Sequence, residues 1–154
     1  TRVKVEYSFG YMLDAAGTLR INLHHSSMPY EIGVTRDMVL AAQKEWGDGI
    51  VRIATAKING EDFEQVAHDH ITALYGYGTG SVLFKPTLAA ERQFRSSFEG
   101  ALSYFVATNN HSAEDSGFAI KNWTTVSFEN DDIITSGSTA MAMGNYFFTN
   151  LAGT

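Results

Sequence analysis

The stretch Leu19–Tyr30, LRINLHHSSMPY, restricts the fold more than any other part of the chain. Within it Leu19, Ile21 and Leu23 alternate with Arg20 and Asn22, the period of a strand with one buried face. Carried forward, the alternation puts His25 and Ser27 on the aliphatic face and His24 and Ser26 with Arg20 and Asn22. Residues 2–12 alternate as well, with Val3, Val5, Tyr7, Phe9 and Tyr11 on one side and Arg2, Lys4, Glu6 and Ser8 on the other. A tight turn over Asp14 to Gly17 joins the two runs into a hairpin, and Met28-Pro29 ends it. A polar pair at the end of an apolar row is either the floor of a pocket or a strand leaving the core for solvent. Spacing leaves both readings open.

Helical spacing takes over after the hairpin. Thr35 can cap a helix over 36–57, with Asp37 in its first turn and Val39, Ala42, Trp46, Ile50 and Ile53 on one face. Gly47 and Gly49 weaken that helix by about 1 kcal/mol each, which predicts a close packing contact there. Asn59-Gly60 breaks it, and a second helix follows over 61–75 with Phe63, Val66, Ala67, Ile71 and Leu74 aligned. The segment VLFKPTL (82–88) reads as a short strand, which Pro86 confines to an edge or an end. Ser97 can cap a short helix over 99–105, and 109–117 is a polar surface loop. Strands over 121–129 and 138–149, joined by a turn spanning 130–137, complete an α+β order.

At 154 residues the chain fits a single domain, 1–154, long enough to bury a core unaided. It has no cysteine, hence no disulfide framework and no thiolate metal site. A net charge of −6 argues against a nucleic-acid partner, which demands a basic surface. No apolar run approaches a membrane span, and TRVKVEYSFG lacks the shape of a signal peptide. A soluble protein is expected; the compartment, cytoplasm or plastid, stays open.

The five histidines do not form a chelating set. His24 and His25 are adjacent on a strand and point to opposite faces, while His68 and His70 lie about 200° apart around a helix. His70 falls near the apolar face and reads as a hydrogen-bonded core histidine, His68 as solvated. There is no G-x-S-x-G elbow, and neither glycine-rich stretch, GYGTGS nor GDG, has the spacing of a phosphate loop. Lys85-Pro86-Thr87 places an amine and a hydroxyl at a strand end, where pockets of open α+β folds occur. Tyr104, between Leu102 and Phe105, fits either an aromatic core or a phenol extended into that pocket.

Several segments carry a resemblance. WTTVSFEN, TAMAMGNYFFTNLAG and KVEYSFGYMLDAAGTLRINLHHSSMPY resemble the cone-shaped superfamily of nuclear transport factor 2 and SnoaL-like proteins. More closely, VLAAQKEWGDGIV, VLFKPTLAAERQFR, EGALSYFV, MAMGNYFF and LHHSS resemble the iota class of carbonic anhydrases over nearly the whole chain. That implies a curved antiparallel sheet wrapped around helices in a cystatin-like, SnoaL-like cone. The order here is rotated: residues 1–30 correspond to the family's C-terminal hairpin and 31–154 to its N-terminal part. A circular permutant and a cut from a tandem array account for this equally, and the hairpin can dock within one chain or be swapped between two.

The resemblance implies reversible hydration of CO2 to bicarbonate, with family pocket residues falling on Thr87, Tyr104, His25 and Ser27. Thr87, Tyr104 and Ser27 would bind substrate and His25, Tyr104 and Ser27 would act in catalysis. No cofactor is expected and a metal-free reaction is preferred, with manganese or zinc left open. A homodimer through the outer sheet face (His24, Ser26, Met141, Met143, Phe147) is also expected. The alternatives are a non-catalytic binding or assembly module, and a SnoaL-like isomerase or cyclase needing Glu91 or Glu99 inside the cone.

Overall fold

The computed structural model describes residues 4–28 and 33–153; Pro29, Tyr30 and the Thr154 and Thr1–Val3 ends of the expected hairpin junction lie outside them. It is α+β. Strands β1 (Glu6–Leu13) and β2 (Leu19–Ser27) form one antiparallel pair, and β3 (Trp123–Ser136) and β4 (Thr139–Asn150) form another. Between them lie helices α1 (Arg36–Asn59), α2 (Phe63–Leu74) and α3 (Phe98–Val106), and a 3-10 turn at Phe118–Ile120.

Local chemistry sets the helix ends. The Thr35 hydroxyl accepts from the Met38 N–H at 3.2 Å, and Gly60 closes α1 with φ 71°. Asp62 and Ser97 cap α2 and α3 the same way, through Gln65 and Gly100. Helix α1 lies across β3, while α2 and α3 pack behind it. The core between them holds Ile50, Ile53, Ala67, Ile71, Ala101 and Phe105, all with no exposed surface. Helix α3 is buried at seven of its nine positions, Gly100 to Val106, as its continuous apolar run requires.

The close contact expected at the α1 glycines is present. A methyl at Gly49 would sit 2.0 Å from Nδ1 of His70, and one at Gly47 3.1 Å from Val126. His70 is buried as expected, but among the described residues neither ring nitrogen has a hydrogen-bond partner. Burial, reinforced by the charge of Arg52, pushes its pKa down to about 4. The ring is a neutral space-filler between Gly49, Trp46 and Phe105.

Three other expectations change. Residues 82–88 form no strand, since the segment pairs with nothing and runs as extended loop. The turn spanning 130–137 is really a continuation of β3 to Ser136, with a bulge after Asn130 and a tight reversal at Gly137. The polar residues there read as a turn because they occupy an exposed, twisting strand end.

The third change concerns the hairpin faces. Pairing runs from Gly10↔Leu23 directly to Tyr11↔Ile21, so Asn22 is an extra residue in β2. A Cβ on Gly10 would meet Asn22 Oδ1 at 2.7 Å and Leu23 Cβ at 2.9 Å, so both side chains crowd over the one residue that leaves room. The bulge resets the alternation. Leu19 and Ile21 fall on the face of Tyr7, Phe9, Tyr11, His24 and Ser26, whereas Leu23, His25 and Ser27 share the face of Gly10 and Ser8. The imidazole of His24 stacks on Phe9 at 4.1 Å.

Candidate active site

Two adjoining clefts open between the helices and the β3–β4 pair. The larger, about 600 Å³, runs along the first half of α1 and is walled by Met38, Ala42, Trp46, Tyr75, Phe128 and Tyr146. Its polar groups are few and turned toward each other: the Trp46 indole N–H donates to the Tyr75 hydroxyl at 2.9 Å. Burial holds the Tyr75 phenol protonated, with its pKa raised to about 12.

The second cleft, about 340 Å³, shares Trp46 and Tyr146 with the first. Phe84, Phe118, Trp123 and Phe148 make its apolar walls; Thr87, Tyr104, Lys85 and Lys121 supply its polar groups. Tyr104 enters from α3, its ring stacked on Phe118 at 5.1 Å and edge-on to Phe84 at 5.9 Å. Among the described residues only a long 3.5 Å contact from the Leu88 N–H reaches its hydroxyl, and burial raises its pKa. The hydroxyl therefore stays an O–H donor, free to bond a guest in the cleft.

Thr87 is carried on a loop with no strand to stiffen it, and its rigidity comes from beyond. The Glu114 carboxylate accepts from the amides of Ala90, Glu91 and Arg92 at 2.7, 2.9 and 2.8 Å. Those backbone bonds hold its pKa down to about 2, and the charge of Arg95 at 3.5 Å adds to them. Arg95 is itself buried, paired with Asp115 at 2.6 Å and bonded to the Arg92 carbonyl. Asp115 in turn accepts from Ser103 on α3 at 2.6 Å. The polar stretch expected as a surface loop is thus the clamp tying the Thr87 loop to the helix that carries Tyr104.

Of the sequence-derived site residues, Thr87 and Tyr104 line one cleft. His25 and Ser27 do not join them. They lie near the end of β2, which pairs with β1, and neither lines that cleft. The outer-face set divides likewise: Met141, Met143 and Phe147 are exposed on β4, while His24 and Ser26 are on the separate hairpin. Glu91 and Glu99 are exposed and line neither cleft. Lys121, Trp123 and Tyr146 belong to the site and carry no spacing signal that would have singled them out. Trp46 was visible only as one member of an apolar helix face.

Among the described residues no group of three His, Asp or Glu side chains is placed to hold a metal ion, and no helix is long and apolar enough to cross a membrane.

The family model described as metal-independent carbonic anhydrase matches residues 1–28 and 37–154. A curated relative, the metal-independent carbonic anhydrase of Nostoc sp. (strain PCC 7120 / SAG 25.82 / UTEX 2576), is 43% identical over 123 residues, 78% of this chain. The chain spans 60% of that relative's length. A solved structure, the iota-carbonic anhydrase from a cyanobacterium complexed with bicarbonate, superposes with a TM-score of 0.79 at 38% identity, covering 83% of this chain and 80% of that one.

Proposed function

The chain belongs to the metal-independent carbonic anhydrase family, and on that premise we propose that it hydrates CO2 reversibly to bicarbonate with no metal, in the cleft of Thr87 and Tyr104. The observation that carries the reading is that cleft: aromatic walls admitting a small apolar gas, and a protonated phenol with no strong partner of its own. A water molecule takes about 30 Å³ of liquid, so about 340 Å³ holds CO2 with several waters.

In the forward direction a water oxygen bonds to the CO2 carbon as one C–O π pair moves onto oxygen. The Tyr104 and Thr87 hydroxyls donate hydrogen bonds to the oxygens gaining charge. With the β1–β2 hairpin docked over the cleft, Ser27 adds a third donor and His25 takes the proton that the water releases and passes it to solvent. Lys85 and Lys121 at the walls favour the anionic product. Without a metal to acidify water, these groups supply all the activation, so turnover is expected well below that of zinc enzymes.

The test is stopped-flow CO2 hydration on chelator-treated protein of verified metal content. Catalysis is expected to persist, and to fall about 10²-fold or more in Tyr104→Phe, the range for losing one oxyanion donor. Activity that appears only on adding manganese or zinc overturns the metal-free reading. Absence of activity under every condition favours the non-catalytic assembly module, for which the exposed row Met141, Met143 and Phe147 speaks.

A further inference from the structure

We propose that Tyr146 is a further catalytic residue of the anhydrase site: from the sheet wall of the cleft its hydroxyl donates to an oxygen of CO2 and then of bicarbonate, while that of Tyr104 donates from α3. The inference rests on the anhydrase reading for its chemistry, but the contact with bicarbonate can be observed without any turnover.

The strand sets which way this phenol faces. Ala142, Gly144, Tyr146 and Phe148 alternate along β4 on the side turned to α1. The bulge after Asn130 keeps the apolar residues of β3 on that same side, with Phe128 opposite Tyr146 before it and Ile133 opposite Ala142 after it. Strand β3 passes so close to Gly144 that a Cβ there would collide with the Glu129 carbonyl oxygen. Small residues therefore fill the inward row at 142 and 144, and Tyr146 is the first large side chain to reach the cleft.

Neighbouring rings fix it there. Tyr146 lies against Phe148 at 5.0 Å and Phe128 at 5.9 Å, and edge-on to Trp46 at 6.1 Å. Phe148 meets Phe118 at 6.1 Å, and Phe118 carries the stacked ring of Tyr104 at 5.1 Å. The two phenols thus end an arc of rings, Tyr104, Phe118, Phe148 and Tyr146, all lining one cleft. The middle of the arc is held, because the Phe118 carbonyl accepts from the Trp123 indole N–H at 2.6 Å. Packing alone does not call for the hydroxyl, since Phe128 and Phe148 take the adjoining inward places without one. Among the described residues that hydroxyl has no hydrogen-bond partner, and a ring already held on three sides loses little freedom on gaining one. Tyr146 is also near enough to act on the other phenol: burial comes first in raising the Tyr104 pKa, and Tyr146 adds to it. Bicarbonate is a planar anion with three oxygens, and donors fixed on the helix side and the sheet side bind it without rearranging.

Contact and catalysis are read separately. In the wild-type chain with tyrosine isotopically labelled at Cζ, adding bicarbonate is expected to shift the NMR resonance of Tyr146, assigned through the backbone of β4, together with that of Tyr104. In stopped flow, Tyr146→Phe is expected to lower kcat for CO2 hydration at least about 10-fold, and in titrations to weaken bicarbonate by a similar factor, the value of one hydrogen bond to an anion. Its thermal melt should match the wild type, because every ring contact is kept. A Tyr146 resonance that bicarbonate leaves unmoved overturns the proposal whatever the activity. So does a Tyr146→Phe protein within about twofold of an active wild type, a change smaller than one hydrogen bond. If the variant melts early, the wild-type resonance alone decides. A bicarbonate response at Tyr146 in a wild type without turnover upholds the hydroxyl as a bicarbonate ligand and removes the anhydrase reading.

Discussion

At the residue scale, the bulge at Asn22 turns a question of face into a measurement. Strict alternation groups His25 and Ser27 with Leu19 and Ile21, whereas the observed register gives Leu19 and Ile21 to His24 and Ser26. If His25 and Ser27 face the reacting centre, His25→Ala and Ser27→Ala lower kcat at least about 10²-fold while His24→Ala and Ser26→Ala leave it within about twofold. The reverse pattern assigns catalysis to the other face. His70 makes a separate prediction about pH. Its folded pKa of about 4 lies below the ordinary 6.5, so between these values the unfolded chain holds the extra proton. Stability is therefore full above pH 6.5 and declines as pH falls toward 4, by up to about 3 kcal/mol. Urea unfolding at pH 7 and pH 4.5 checks this, and His70→Leu is expected to flatten that part of the profile.

At the scale of elements, the glycines of α1 are packing residues. Alanine at Gly49 gains about 1 kcal/mol of helix propensity but drives a methyl into the His70 ring, so Gly49→Ala is expected to lose a net 1–3 kcal/mol, about the cost of overpacking. Thermal melts decide it, and adding His70→Ala to the same chain should recover part of the loss. The Glu114 clamp acts on the Thr87 loop without touching a guest in the cleft. Because its folded pKa is about 2 against an ordinary 4.5, the clamp is complete above pH 4.5 and released as pH drops toward 2. Glu114→Ala is expected to raise KM for CO2 and speed amide exchange at Ala90, Glu91 and Arg92, with Tyr104 undisturbed. Equal exchange in both proteins would show that the loop is held by something else. The short strand read into 82–88 failed for a related reason: no strand pairs with it, and its backbone is met by single bonds such as Arg95 N–H to the Phe84 carbonyl.

At the scale of the molecule, burial predicts where order is strongest. Amides of β1 and β2, exposed on both faces, are expected to exchange faster than those of the buried turns of α1 and α3. Hairpin protection equal to that of α1 would mean that the hairpin is covered in solution. The helix faces, their capping residues, the strand character of both hairpins and the placing of Thr87 and Tyr104 as candidates were legible in the sequence, because period and capping depend on neighbours a few residues away. The resemblance carried His25 and Ser27 in the same way, as residues in a motif. What brings partners together was not legible. The bulge at Asn22 depends on the strand opposite, and the clamp of Glu114 on three amides more than twenty residues away. Local sequence determines which way each segment folds; only the tertiary structure decides which segments meet, because that turns on distances between parts of the chain that no local pattern records.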